Sequence, residues 1–81
     1  MRVTIRLFAR LRDLAGGGTL TRDVTGGATV DTVWQALAQE FPAIAPLRPS
    51  IAAAVNAEYA KFTTPVTDGD HVAFLPPVSG G

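Results

Sequence analysis

The sequence predicts an α+β fold, a mixed sheet of about five strands with one main helix packed across one face. Three observations carry that prediction. Val3, Ile5 and Leu7 alternate with Arg2, Thr4 and Arg6 at the start of the chain. A single amphipathic stripe follows in Val30, Val33, Trp34, Leu37, Ala38 and Phe41. A second alternating run, His71 to Leu75, stands near the end. Period two marks a half-buried strand, and the i, i+3, i+4, i+7 spacing marks a helix with one apolar side. A sheet and a helix that each have one apolar side must bury those sides against each other.

The elements follow in order. Phe8 closes the first strand as an aromatic in the polar phase. Ala9 to Ala15 predicts two helical turns, with Leu11 and Leu14 three apart, ended by Gly16-Gly17-Gly18. Thr19 to Val24 predicts a second strand with a flaw: Arg22 falls in phase with Leu20 and Val24, which an edge position or a bulge would explain. The main helix is expected over about Val30 to Glu40, with Thr29 as N-cap, Asp31 at the positive end of its dipole and Pro42 as its stop. Trp34 lies on the stripe and reads as core. Ala43 to Pro49 reads as a proline-punctuated connection holding at most a single turn. Ile51, Ala53 and Val55 predict a strand, Asn56-Ala57-Glu58 a tight turn, and Tyr59 to Phe62 a short strand. Asp68-Gly69 signals another turn before the last strand, which Pro76-Pro77 stops. The strands flanking the helix are expected to lie far apart in the sheet. This order suits a β-grasp, the ubiquitin-like roll.

Composition narrows function mainly by exclusion. A single domain of 81 residues buries about 60% of its unfolded surface, which leaves little room for an elaborate active site. Seven basic and seven acidic residues give no net charge, and the local cluster Arg6, Arg10, Arg12 is followed at once by Asp13. No nucleic-acid partner is expected. The chain has no cysteine, so neither disulfide nor thiolate chemistry is available. The first residues do not form a signal peptide, and Ile51 to Val55 is too short to span a bilayer. No membrane partner and a cytoplasmic location are expected.

No side-chain active site emerges. His71 is the one histidine and lacks a ligand set, Ser50 and Ser79 lie in no nucleophile motif, and the carboxylates are scattered. No metal site is expected. Asp68 and Asp70 flank Gly69 and read as turn residues. The glycine runs lack the lysine and hydroxyl residue of a phosphate loop.

The C-terminal segment is more informative. A domain over residues 1–75 is followed by a flexible tail over residues 76–81, Pro76-Pro77-Val78-Ser79-Gly80-Gly81. Two prolines stiffen the exit, and six residues reach up to about 20 Å at ~3.3 Å each. Glycines without side chains can thread a narrow channel, leaving the Gly81 carboxylate as the functional group at the tip.

These residues resemble a known family. The stretch Ile51 to Asn56, the run Thr67 to Gly81 and the opening Leu7 to Gly16 are similar to the small subunit of molybdopterin synthase, a ubiquitin-like sulfur carrier ending in Gly-Gly. Gly17 to Ser50 matches only in pattern. The resemblance implies that an adenylyltransferase like the ubiquitin-activating enzymes uses ATP to adenylate Gly81. A sulfur donor then converts it to a thiocarboxylate. The tail enters the large catalytic subunit, where sulfur passes to cyclic pyranopterin monophosphate in molybdenum cofactor biosynthesis. The small subunit would bind no cofactor and contribute no catalytic side chain. The resemblance further implies an apolar partner surface at Phe8, Tyr59 and Leu75. Alternative readings are a carrier for thiamin, cysteine or tRNA thiolation, a ubiquitin-like protein modifier, or a plain adaptor.

Overall fold

A computed structural model describes residues 1–76. The chain forms β1 (Arg2–Leu7), α1 (Ala9–Ala15), β2 (Thr19–Asp23), α2 (Val30–Glu40), a 3-10 segment (Pro42–Ser50), β3 (Ala52–Val55), β4 (Glu58–Ala60) and β5 (His71–Leu75). The five strands make one mixed sheet in the order β2-β1-β5-β3-β4. Only β1 and β5 run parallel; the other pairs are antiparallel. The crossover from β2 to β3 therefore spans two intervening strands and carries α2 with it.

Strand phase assigns the two sheet faces. Val3, Ile5 and Leu7 of β1 and Val72 and Phe74 of β5 point to one side and are buried. Val30, Val33, Trp34 and Leu37 of α2 complete that core. Trp34 meets Phe74 edge-on with ring centroids 5.1 Å apart, a favoured aromatic geometry. The capping prediction holds: Thr29 Oγ1 accepts from the Thr32 N–H at 3.3 Å, and Thr32 Oγ1 accepts from the Thr29 N–H at 3.1 Å. The next two N–H groups of α2, on Val30 and Asp31, donate to the carbonyls of Thr64 and Phe62, each at 2.9 Å. Donors that a helix start leaves over are thus satisfied by the segment after β4.

That contact explains where β4 departs from expectation. The strand ends at Ala60 and does not reach Phe62. Thr64 N–H closes a turn onto the Lys61 carbonyl, and Phe62 leaves the ladder to stack on Phe74 at 6.0 Å. Arg48 lies over the Phe62 ring, 3.4 Å from its centroid. The connection before β3 also differs, being a nine-residue 3-10 run rather than a loop with at most one turn. Pro42, Pro46 and Pro49 lack the N–H an α-helix would need, yet Ile44, fully buried, pins the segment to the core.

β2 lies at the sheet edge, as the misplaced Arg22 suggested. Arg22 sits in the core phase but reaches past the edge to Glu40, its Nε donating to Oε2 at 2.8 Å. This exposed bidentate pair raises the Arg22 pKa and lowers that of Glu40, chiefly through the hydrogen bond itself. Among the described residues no helix is long and apolar enough to cross a membrane.

Candidate functional site

The second face of the sheet carries no helix. Tyr59 of β4 pairs with Ala54 of β3, Ala54 with Ala73 of β5, and Ala73 with Arg6 of β1. One row of side chains therefore crosses four strands with two methyl groups at its centre. Leu75 and its partner Ala52 stand beside that row.

Tyr59 ends the row on one side and Arg6 on the other, and Phe8 stands two residues beyond Arg6 in the same outward phase. Tyr59 is 85% exposed and Phe8 39%, and they are the two exposed large hydrophobic residues of the described chain. Phe8 follows β1 in an extended conformation, φ −128° and ψ 154°. Ala9 then takes a φ of +51°, a left-handed step that side-chain-bearing residues seldom make. It turns the chain into α1 within one residue and leaves Phe8 in the outward phase. Leu11, by contrast, is fully buried beneath α1.

Two shallow hollows flank the row. One, of about 350 Å³, is lined by Arg6, Phe8, Asn56, Ala57, His71 and Ala73. The other, of about 620 Å³, lies beside Tyr59 and Lys61. The Asn56-Ala57 turn separates them, with φ of +50° and +72° at those residues. Asn56 ties the turn to β5: its Nδ2 donates to Asp70 Oδ1 and its Oδ1 accepts from the His71 N–H, both at 2.9 Å. Asp70 Oδ2 also accepts from the Thr67 N–H at 2.8 Å. Those bonds hold the Asp70 carboxyl below its ordinary pKa, the Thr67 N–H being the largest cause. Asp68 Oδ1 accepts from the Arg2 N–H at 2.6 Å. Both carboxylates thus build the turn, as their flanking of Gly69 suggested. Among the described residues, no three His, Cys, Asp or Glu side chains gather as metal ligands.

Of the site residues read from sequence, Phe8 and Tyr59 stand exposed on the outward face. Leu75 shares the face but is half-buried, and Pro76 follows it directly. Pro77, Val78, Ser79, Gly80 and Gly81 lie outside the described residues. Sequence reading missed Arg6, Ala52, Ala54 and Ala73. The alanines gave a signal, since small residues fill the outward phase of β3 and β5; Arg6 needed the β1–β5 register.

A mixed five-stranded roll with this strand order, packed on one main helix, defines a ubiquitin-like β-grasp protein. More particularly, residues 5–81 match the ThiS family, and the chain belongs to it. It is 37% identical over 81 residues to the molybdopterin synthase sulfur carrier subunit of Escherichia coli K12, spanning 98% of this chain and 99% of that protein. The crystal structure of Haloferax volcanii small archaeal modifier protein 1 superimposes with a TM-score of 0.87 at 32% identity, over 95% of this chain and 98% of the other. A chain of the complex of subunits 1 and 2 of the molybdopterin-converting factor from Helicobacter pylori 26695 matches at TM-score 0.70 and 26% identity, over the full length of both chains.

Proposed function

We propose that this chain is the sulfur carrier subunit of a molybdopterin synthase. One observation carries the reading: full-length similarity to the Escherichia coli carrier subunit in a sequence ending Pro-Pro-Val-Ser-Gly-Gly directly after the central strand β5. The Gly81 carboxylate attacks the α-phosphorus of ATP on an adenylyltransferase, releasing pyrophosphate. A free carboxylate is a poor electrophile, whereas the acyl-adenylate carries a good leaving group. A sulfur donor displaces AMP, and the C–S bond of a thiocarboxylate replaces the acyl C–O–P linkage. Gly80 and Gly81 then thread into the large catalytic subunit with Pro76, Pro77, Val78 and Ser79 spanning the approach. The apolar row supplies the docking surface, with Phe8 and Tyr59 as its anchors and Leu75 at its margin.

The test is a reconstitution. The chain carrying a Gly81 thiocarboxylate is mixed with the large subunit and cyclic pyranopterin monophosphate, and molybdopterin is assayed. Product from the thiocarboxylate and none from the carboxylate is the expected result. No product with a demonstrably active large subunit would reject the assignment. Deleting Gly80-Gly81 abolishes transfer in a carrier and leaves a plain adaptor working.

The likeness to small archaeal modifier protein 1 favours a second reading, in which Gly81 is joined to lysines of other proteins. Isopeptide conjugates ending in the Gly81 acyl group, sought by mass spectrometry in the source cells, decide it.

A further inference from the structure

We propose that the hollow between Arg6, Phe8 and His71 receives a carboxylate side chain of the protein that docks on the outward face. The inference rests on the docking reading above and names the partner's chemistry at one point of it. Four of the six arginines already have a carboxylate within reach: Arg2 with Asp23 at 3.2 Å, Arg12 with Asp13 at 4.0 Å, Arg22 with Glu40 and Arg48 with Asp31 at 3.7 Å. Arg6 makes no ion pair among the described residues, although it stands in register with the apolar row. Among the described residues no carboxylate lines the hollow. Two carboxylates adjoin the lining in sequence: Asp70 is held by Asn56 and Thr67, and Glu58 lines the other hollow. The Asn56 amide is itself used on both its oxygen and its nitrogen, so it forms a fixed wall.

The energetic argument concerns what docking does to Arg6. Its guanidinium lies 5.8 Å from the Phe8 ring centroid, so a partner that covers Phe8 also takes water from Arg6. Covering an unpaired cation with apolar surface is unfavourable, and the loss is offset only by a partner that supplies an anion. A guanidinium presents a planar fork that a carboxylate matches with two hydrogen bonds. Ala73 leaves space above the sheet for that group to enter. The apolar row then supplies contact area, and the hollow fixes the register of the complex.

The large synthase subunit from the same source is the probe, and Kd is measured at low and at moderate salt. Arg6→Glu should weaken binding about tenfold or more and reduce the salt dependence, whereas Arg6→Lys, which keeps the charge and loses the fork, should weaken it less than Arg6→Glu. Circular dichroism and thermal melting check that both variants fold, as expected for an exposed position. Carbodiimide coupling of the native complex, whose chain carries the single lysine Lys61, serves as the reference. In the Arg6→Lys variant, coupling should join the new amine to one Asp or Glu of the partner, identified by mass spectrometry. Native affinity of Arg6→Glu, together with weakened binding by Phe8→Asp, would overturn the carboxylate contact and leave the docking surface standing. Native affinity of both variants would remove the docking surface as well.

Discussion

The two faces of one sheet make different use of the same strands. On the inner face Val3, Ile5, Leu7, Val72 and Phe74 close against α2 and exclude water. On the outer face the alternate residues are Arg2, Thr4 and Arg6 of β1 and His71, Ala73 and Leu75 of β5, with Phe8 following β1 and, among the described residues, no helix above them. Inner residues are large and interlocked. Outer residues include two exposed aromatics, Phe8 and Tyr59, with the methyl groups of Ala54 and Ala73 between them. The difference teaches that exposure alone does not mark a surface for binding; an aromatic standing next to small residues leaves a trough that another protein can fill.

Trp34→Ala should have the largest effect on folding. Removing a fully buried aromatic costs about 3–5 kcal/mol, a large part of the ~4–12 kcal/mol that a domain of this length has, and chemical denaturation will show it. Phe8→Asp should leave stability within about 0.5 kcal/mol yet weaken binding to the large subunit by ~2 kcal/mol or more, some thirtyfold. If Phe8→Asp lowered stability as much as Trp34→Ala, the distinction between the faces would break. Leu75→Asp should sharpen it from the middle. The residue is half-buried, so calorimetry should record a loss of about 1–2 kcal/mol alongside weaker binding. Ala57→Gly should raise stability by roughly 0.5–1 kcal/mol, because Ala57 occupies a left-handed conformation at φ +72° that glycine adopts freely.

The smallest effect is in acid. The lowered pKa of Asp70 contributes stability that is present above its ordinary value of 3.8 and is lost as pH falls through the lower folded-state value. Asp70→Asn should therefore flatten the stability curve below about pH 4. An unchanged acid limb in thermal melts across pH 2–6 would show that the turn bonds do not depend on the charge.

Much of this was legible in the chain. The stripe from Val30 to Phe41 and the cap at Thr29 located α2 because both signals are local. Arg22 pointed to an edge or a bulge at β2, because a charge in core phase has few other places to go, and the strand order decides for the edge. Phe8 stood out by phase alone. Phe62 could not be placed from sequence: its ring is drawn from the strand by Trp34, Phe74 and Arg48, three contacts from distant segments. The prolines of the 3-10 run read as interruptions, since only the burial of Ile44 shows that they shape a packed element. The hollow at Arg6 was invisible for a related reason. Its walls come from β1, the Asn56-Ala57 turn and β5, and only the parallel register of the first and last strands brings them together.

That parallel pairing also orders events during synthesis. β5 fills the place between β1 and β3, so neither strand has its inner neighbour until residues 71–75 exist. Contacts between the two ends of a chain form late and slow its folding. A nascent chain cut short of His71 would have two unjoined sheet edges rather than a smaller version of the domain. The strand that completes the sheet is also the one after which Pro76 begins the segment to which the proposed function assigns the sulfur chemistry.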